Sequence, residues 1–333
     1  MNAFLLTRYG KKEQFQLTET PKPAPQADEV LIEVHAAGVN QLDSKLRDGE
    51  FKLILPYKLP AGLGHDVAGI VTAVGTRVSR FKVGDEVYAR PADFHIGTFA
   101  GFIAVREADV APKPRNLTMA EAGSLPLVSL TAWQALVERA NLQKGQKVFI
   151  QAGSGGVGSF AIQLAKHLGA YVATTTSAAN TELVKSLSAD LVIDYKTQDF
   201  ETVLRDYDVV LNSQDPKTLA KSLRILKPGG IVVSISGPPT GEFAKEFGLP
   251  WYVRFVTRLL SFGIRRQARK LGVRYTFLFM KSNGPQLSEI TKLAEAGIIK
   301  PVVDKTFPFA QTNEALAYVE SGRAKGKVVV DVK

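Results

Sequence analysis

The chain has 333 residues, of which 45% are hydrophobic and 22% charged, with a net charge of +10 and no cysteine. This composition is that of a globular protein, and the length suffices for two domains of ordinary size. The absence of cysteine excludes disulfides and thiolate metal sites. The positive charge favours anionic partners, namely phosphorylated ligands, an acidic membrane surface or nucleic acid.

The N-terminal sequence and the distribution of apolar residues bear on location. The apolar run near Met1 is too short for a signal peptide, and no stretch approaches the roughly 20 apolar residues that span a bilayer. We therefore expect a soluble, cytoplasmic protein.

The first 110 residues are predicted to be rich in β-structure. Apolar residues alternate at Val30, Ile32 and Val34, and short valine-rich runs follow between glycines. This pattern of short strands and glycine turns is typical of a barrel-like domain. Beyond it, Thr118 and Glu121 have the spacing of a capping box, which predicts that a helix begins there.

From residue 146 the pattern changes to alternating strands and helices. This alternation predicts parallel pairing in a doubly wound sheet, and hence an α/β fold. The predicted elements are strand 146–152, helix 155–169, strand 170–177, helix 181–189, strands 190–195 and 207–213, helix 216–230 and strand 231–237. The final segment is mixed, with helices 284–297 and 312–322, an extended stretch 298–309 and a strand 326–332.

A glycine-rich loop follows the first of these strands. The sequence "GSGGVG" has the spacing G-x-G-x-x-G and opens a predicted helix, which is the context that dinucleotide binding requires. A tight strand-to-helix turn without a ligand is the alternative. The predicted phosphate-binding residues are Gly153, Ser154, Gly155, Gly156, Val157 and Gly158.

The second strand of this region indicates which dinucleotide binds. An NAD-binding unit usually has an acidic residue there, whereas this sequence has Thr175, Thr176 and Ser177. Hydroxyls can donate to a 2′-phosphate, so NADP is favoured, with Tyr195 as a further donor. Alternatively, the threonines are ordinary β-branched strand residues. The predicted cofactor-binding set also includes Asn212, Ser236 and Gly237.

Ordered motifs along the whole chain resemble the medium-chain dehydrogenase/reductase superfamily. They are "GVNQLDSKLRDG", "GHDVAGIV", "FKVGDEVYA", "SLPLVSLTAWQAL", "AGSGGVG", "LKPGG" and "ESGRAKGKVVV". Within it the chain looks like the zinc-independent quinone oxidoreductase branch, which includes enone and alkenal reductases. The resemblance implies a GroES-like β-rich catalytic domain over residues 1–122, a Rossmann NADP-binding domain over 123–262, and completion of the catalytic domain by 263–333. It also implies a homodimer.

Zinc-dependent members of this superfamily use a Cys, a His-Glu pair and a second Cys. Here the corresponding positions are Asn40 and the pair His65 and Asp66, and no cysteine exists. Asp43 or His35 is the candidate for a third ligand. We predict no metal site, because catalytic zinc needs three protein ligands and both thiolates are missing. A zinc-dependent alcohol dehydrogenase is the less favoured alternative.

The resemblance implies hydride transfer from NADPH to a quinone or an α,β-unsaturated carbonyl, so the expected substrate is a small apolar molecule. The substrate oxygen needs hydrogen-bond donors, for which Asn40 and Lys45 are the candidates, with Asp43 orienting them. Thr131 resembles the family position beside the nicotinamide. Alternatively, Asn40 caps a turn and Lys45 is a solvated surface lysine.

A basic segment, residues 251–274, is left over. It lies in a stretch without acidic residues between Glu246 and Glu289, and its apolar residues form one helical stripe. Such a segment can lie on an anionic membrane, whereas the family resemblance favours a lid or flank over the substrate cleft. The alternative function is therefore an NADPH-binding protein with little catalysis, associated with membrane or RNA. No RNA-binding motif is present, so we expect no specific nucleic-acid binding.

Overall fold

The computed structural model describes residues 1–333, which divide into two compact units. The β-rich unit consists of Met1–Leu130 and Lys281–Lys333, and the parallel-sheet unit consists of Thr131–Met280. These limits differ from the predicted boundaries near residues 122 and 262. The residues before 131 stay with the β-rich unit, where the Leu127 amide donates to Asp66 Oδ1 at 2.6 Å. The residues up to 280 include a strand of the parallel sheet.

The β-rich unit contains ten strands and five helices. Its strands are β1 (Asn2–Leu6), β2 (Gln16–Glu19), β3 (Glu29–Val39), β4 (Ala61–Gly62), β5 (Val67–Val74), β6 (Glu86–Ala89), β7 (Phe102–Arg106), β8 (Val110–Pro112), β15 (Val303–Pro308) and β16 (Lys327–Asp331). Its helices are α1 (Gln41–Arg47), α2 (Met119–Gly123), α3 (Pro126–Trp133), which continues across the unit boundary, α11 (Gly284–Glu295) and α12 (Thr312–Glu320).

The sheets of this unit are organised around β3. One sheet has the order β2-β1-β4, and the larger one has the order β15-β16-β3-β5-β6-β8, with β7 also paired to β3. The last strand, β16, pairs antiparallel with the C-terminal half of β3, with Val328 opposite Val39. The end of the chain is thereby placed beside residue 40. The capping box predicted at α2 is present, since the Thr118 amide donates to Glu121 Oε2 at 2.8 Å.

The parallel-sheet unit contains six strands and seven helices besides the end of α3, which passes into a π-helical turn at Gln134–Arg139. The strands are β9 (Lys147–Ile150), β10 (Tyr171–Thr176), β11 (Leu191–Asp194), β12 (Tyr207–Asn212), β13 (Leu226–Ser234) and β14 (Arg274–Phe277). The helices are α4 (Gly156–His167), α5 (Thr181–Ser186), α6 (Phe200–Val203), α7 (Pro216–Arg224), α8 (Gly241–Glu246), α9 (Trp251–Leu260) and α10 (Phe262–Lys270).

All six strands are parallel, in the order β11-β10-β9-β12-β13-β14. This is the doubly wound order of a Rossmann fold, so the predicted α/β class is confirmed. Two details differ from the sequence prediction. The predicted helix 216–230 ends at Arg224 because Leu226 already pairs with Tyr207, which places "LKPGG" in β13. The edge strand β14 was not predicted.

The core of this unit forms where helices cover the sheet. Phe149 on the central strand β9 is fully buried and contacts Phe200 at a ring-centroid distance of 4.8 Å. Helix α10 contributes Ala268 to the same core cluster. Val273, which lies between α10 and β14, also belongs to this cluster. Burial of such apolar side chains contributes about 1.5–3 kcal/mol each.

Candidate active site

The glycine-rich loop lies between β9 and α4, as the sequence predicted. Gly155 is the N-cap residue of α4, with φ −83° and ψ 172°, and its side-chain position offers no cap. The first N–H groups of any α-helix have no partner within the helix. This loop therefore presents backbone donors and the positive end of the helix dipole to an anion, which suits a pyrophosphate.

The three positions of the motif require glycine for different reasons. A Cβ atom on Gly153 would lie 2.2 Å from Thr174 Oγ1, and one on Gly158 would lie 2.3 Å from the Ala152 carbonyl oxygen. Packing inside the protein therefore requires these two glycines. A Cβ on Gly155 would meet only the Ala152 oxygen, at 3.3 Å. Gly155 is therefore less closely packed within the protein than the other two glycines, and its missing side chain fits the close approach of a dinucleotide.

The threonines of β10 are tied into this loop. Thr174 is fully buried and donates to the Ile150 carbonyl at 2.6 Å. Thr175 Oγ1 accepts from the Ala152 amide at 3.2 Å, and Thr176 donates to Ser154 Oγ at 2.9 Å. Thr175 and Thr176 thus hold the loop against the strand. Most of their surface is buried.

Ser177 and Tyr195 lie beyond these threonines. Ser177 is half-buried after the end of β10, and Tyr195 retains 61% of its accessible surface after β11. Its backbone amide donates to the Thr176 carbonyl at 3.2 Å, which brings the ends of the two strands together. The neighbouring carboxylate of Asp194 accepts from the Lys196 amide at 3.0 Å. An exposed hydroxyl therefore stands next to the predicted ribose region.

The remaining predicted cofactor residues form a hydrogen-bonded chain at the ends of β12 and β13. Asn212 donates to Gln151 Oε1 at 2.8 Å and accepts from Ser234 Oγ at 2.6 Å. Ser234 Oγ in turn accepts from the Gly237 amide at 2.8 Å, and Ser236 donates to Gln214 at 2.7 Å. Gln151 and Ser234, which were not predicted as site residues, join strands far apart in the chain.

A tyrosine of β14 supports the same turn. Tyr275 donates to the Pro238 carbonyl oxygen at 2.8 Å, and a Cβ on Gly237 would lie 2.6 Å from its hydroxyl. Burial raises the pKa of Tyr275 well above its usual range, against a smaller opposing effect of Ser234. The hydroxyl therefore stays protonated and keeps its role as donor. Thr131, the other predicted residue of this unit, is buried in α3.

In the β-rich unit, Asp43 and His65 form a buried pair. Asp43 Oδ1 lies 2.6 Å from His65 Nδ1, and its Oδ2 accepts from the Asn40 amide at 2.8 Å. Both side chains are fully buried. His65 Nε2 is buried without a hydrogen-bond partner, which marks it as a position for a ligand atom.

A second cluster joins Asn40, Asp66 and Lys327. The Lys327 ammonium donates to Asn40 Oδ1 at 2.5 Å, to Asp66 Oδ2 at 3.0 Å and to the Val39 carbonyl at 3.0 Å. Asn40 Nδ2 donates to Asp66 Oδ2 at 2.9 Å and to the Gly38 carbonyl at 3.3 Å. All polar atoms of the Asn40 side chain are thus engaged within the protein. We call Asn40, Asp43, His65, Asp66 and Lys327 the buried polar network.

The structure separates the three residues predicted for catalysis. Asn40 and Asp43 belong to the buried polar network, whereas Lys45 is half-buried on α1 and its ammonium makes no hydrogen bond or ion pair. Lys327 was missed as a site residue. Its motif "GKVVV" supported the family resemblance, but nothing in the sequence pattern indicated that this lysine is buried beside residue 40.

The network does not fit a zinc ion. No group of three His, Cys, Asp or Glu side chains is placed to hold a metal. Of the possible ligands at the family position, Asp66 already accepts from Asn40, Lys327 and the Leu127 amide. The ammonium of Lys327 thus supplies positive charge next to Asp66. His65 Nε2 is then the one atom of this set that remains available to coordinate a metal, whereas catalytic zinc takes three protein ligands.

Comparison with known families agrees with this architecture. Residues 26–115 match the alcohol dehydrogenase GroES-like domain, and residues 187–330 match a family described as zinc-binding dehydrogenase. The solved quinone oxidoreductase from Coxiella burnetii aligns with a TM-score of 0.87 and 29% identity, covering 100% of this chain and 99% of that one.

Two relatives extend the comparison to sequence. The chain is 37% identical to an NADPH-dependent alkenal/one oxidoreductase, chloroplastic, of Arabidopsis thaliana, covering 99% of this chain and 79% of the relative. It is 35% identical to the mitochondrial NAD(P)H oxidoreductase RTN4IP1 of Bos taurus, covering 100% and 89%. The protein belongs to the medium-chain dehydrogenase/reductase superfamily, as its motifs predicted.

Proposed function

We propose that this protein is an NADPH-dependent reductase that acts on quinones or α,β-unsaturated carbonyl compounds without zinc. Its relatives include proteins named as reductases of both substrate classes. The observation that carries the proposal is the Lys327 ammonium bound between Asn40 and Asp66, because the family resemblance matches these two residues to zinc-site positions of the zinc-dependent members. In zinc-dependent alcohol dehydrogenases the metal assists loss of the hydroxyl proton, whereas hydride addition to a conjugated carbonyl needs hydrogen-bond donors to the carbonyl oxygen.

The cofactor site follows from the loop geometry. Bound NADPH supplies the hydride. Gly155 and the first turn of α4 would hold the pyrophosphate, and the Tyr195 hydroxyl, with Ser177, would hold the 2′-phosphate. Thr175, Thr176 and Ser154 keep the loop in place through their mutual hydrogen bonds. Asn212, Ser236 and Gly237 fix the neighbouring strand ends.

Negative charge develops on the substrate oxygen when hydride arrives. We assign the stabilising hydrogen bond to Lys45, since its ammonium has no partner within the protein, whereas the Asn40 amide is fully engaged. Asn40 and Asp43 then act as positioning residues that fix the start of α1. Asp43 does so by accepting from the Asn40 amide and holding His65.

The test is turnover, followed by NADPH absorbance with a panel of quinones and enones. Loss of one hydrogen-bond donor to a developing oxyanion typically costs about 100-fold in kcat or more. We expect this for Lys45→Met, and no change for Lys58→Met, an exposed lysine of the same unit. Absence of turnover with every compound, despite tight NADPH binding, would instead support the alternative of a cofactor-binding protein with little catalysis.

Metal removal tests the zinc-free part of the proposal. Prolonged treatment with 1,10-phenanthroline should leave turnover unchanged, and elemental analysis should show zinc far below one atom per chain. Turnover lost on chelation and restored by zinc would contradict it. The cytoplasmic location stays a prediction, because the two relatives named above are chloroplastic and mitochondrial proteins. Subcellular fractionation tests it.

A further inference from the structure

Helix α9 presents an apolar face to solvent. Six of its ten residues are large hydrophobic side chains that remain exposed, and Trp251 retains 80% of its accessible surface. They are Trp251, Tyr252, Phe255, Val256, Leu259 and Leu260. At 100° per residue these positions cover one continuous half of the helix. Single exposed hydrophobic residues are ordinary, but a contiguous patch of this kind marks an interaction site.

The apolar half is exposed because α9 packs through its other side. Thr257 is the buried residue of the helix, and Arg258 lies against α8, where a Cβ on Gly241 would come within 2.5 Å of its Cγ. The next helix, α10, is anchored by Ala268 in the core of the parallel-sheet unit. The apolar face is therefore held outward by the fold.

Exposed arginine and lysine side chains lie on α9 itself and on the helix that follows it. Arg254 and Arg258 border the apolar half of α9, and Phe262 continues it into α10. The exposed side of α10 adds Arg266, Arg269 and Lys270. None of these five basic groups lies within 4.0 Å of a carboxylate; only Arg265 approaches one, Glu242 at 3.9 Å. We call α9 and the exposed side of α10 the α9–α10 face.

We propose that the α9–α10 face docks on an anionic membrane surface, with α9 lying in the interfacial plane. An apolar face with Trp and Tyr, bordered by basic residues, is the chemistry that binds anionic lipid headgroups and the acyl chains beneath them. No helix of the protein combines the length and the apolarity needed to cross a bilayer.

Charge distinguishes this partner from the others. Two copies of the chain meeting through the same face would bring their unpaired arginines together, which is repulsive, whereas anionic lipid complements all five groups. RNA would complement the charges but leave the aliphatic residues of α9 in water. Docking would also give the enzyme access to its substrates, and this consequence rests on the proposed function. Small apolar quinones and enones dissolve in bilayers, where a docked enzyme can bind them.

The experiment is cosedimentation of the full-length protein with vesicles of phosphatidylcholine and phosphatidylglycerol at 3:1, compared with pure phosphatidylcholine. Each basic residue near an anionic surface contributes about 1 kcal/mol, or about fivefold in partitioning. Arg266→Gln with Arg269→Gln should therefore weaken binding about 25-fold. The matched control, Lys11→Gln with Lys12→Gln, removes the same charge from exposed residues elsewhere and should have a much smaller effect.

A second pair of variants tests the apolar contact. Phe255→Ser with Leu259→Ser should abolish binding, whereas Leu53→Ser with Val83→Ser, two exposed residues of the β-rich unit, should not. Brominated lipid should quench Trp251 fluorescence, and 1 M salt should release the protein by screening its charges. Turnover of a water-soluble quinone without vesicles should be unchanged in all these variants, so membrane binding and catalysis are read separately.

Four outcomes would overturn the docking. The first is equal binding to neutral and anionic vesicles, or none to either. The second is a dimer in sedimentation velocity without vesicles that dissociates in the Phe255 and Leu259 variant, because the face then binds a second copy. The third is RNA that displaces the protein from vesicles at lower concentration than free phosphatidylglycerol. The fourth is lost turnover without vesicles, which would make α9 the lid of the active site.

Discussion

The buried polar network of the β-rich unit and the glycine-rich loop of the parallel-sheet unit differ in whether their polar groups have partners within the protein. In the network, Lys327 donates to three acceptors and Asp66 accepts from three donors, so the charges are satisfied by the protein itself. At the loop, backbone donors at the start of α4 and the space at Gly155 are left for a ligand.

The buried polar network is therefore preorganised, whereas the glycine-rich loop is completed only when a ligand binds. Buried charges are costly to desolvate, so a network with every partner in place fixes its geometry before substrate arrives. A loop with unsatisfied donors gains its partners only on binding. Only His65 Nε2 breaks the pattern in the network. Removing one residue should therefore damage stability in the first region and cofactor affinity in the second.

The largest effect is expected at Lys327. Lys327→Met leaves the Asp66 carboxylate buried without its cation, which typically lowers the free energy of unfolding by about 3–5 kcal/mol. Lys325→Met, at an exposed position two residues away, should change it little. The measurement is urea unfolding followed by circular dichroism. Adding Asp66→Asn to Lys327→Met should restore part of the loss; if it does not, the two charges are not coupled.

A pair of glycine variants should separate stability from cofactor binding. Gly153→Ala places a Cβ 2.2 Å from Thr174 Oγ1, so we expect about 1–3 kcal/mol of destabilisation. Gly155→Ala has an ordinary extended backbone and one close contact, with the Ala152 oxygen at 3.3 Å, so the loss of stability should be smaller than for Gly153→Ala. NADPH affinity should nevertheless fall at least about tenfold, or about 1.4 kcal/mol, by fluorescence titration. Unchanged affinity would mean that the dinucleotide does not approach Gly155.

The same contrast explains what the sequence allowed us to predict. The loop is local: a strand, "GSGGVG" and a helix follow one another within the chain, and the spacing itself carries the mechanism. The network is assembled from positions far apart, since Asn40 and Lys327 are separated by 287 positions and meet only because β16 pairs with β3. No local pattern distinguishes Lys327 from the many surface lysines.

The sequence indicated which polar residues lie near the site, but not which of their polar atoms are buried and already hydrogen-bonded. The threonines of β10 were predicted as donors to a 2′-phosphate, but their hydroxyls bond to Ile150, Ala152 and Ser154. For Asn40, the amide expected to face substrate is occupied by Asp66 and Lys327. In both cases the competing partner comes from another strand, and strand pairing decides which donors remain.

Tyr195 provides a smaller test at the loop. Its exposed hydroxyl is the proposed donor to the 2′-phosphate, and a hydrogen bond contributes about 0.5–1.5 kcal/mol, so Tyr195→Phe should raise the KM for NADPH about 2- to 12-fold. The KM for NADH should stay the same, because NADH lacks that phosphate. Tyr171→Phe, at the opposite end of β10 and also exposed, is the control. Equal changes for both cofactors would assign Tyr195 a structural role.

The smallest effect concerns exposed ion pairs of the parallel-sheet unit. Hydrogen bonds from Lys221 and Arg224 lower the pKa values of Asp199 and Glu201 below their ordinary range. Depressed folded-state pKa values mean that the pairs stabilise the protein above about pH 4–5, and that this contribution is lost as pH falls through the folded-state values.

Because all four of these side chains are solvent-accessible, each pair should contribute no more than about 1 kcal/mol, and less in 0.5 M salt. Asp199→Asn with Glu201→Gln should lower the free energy of unfolding slightly at pH 7, and the difference from the unmodified protein should vanish near pH 3. A difference as large as that of Lys327→Met would show that burial is not what separates the two kinds of charge pair.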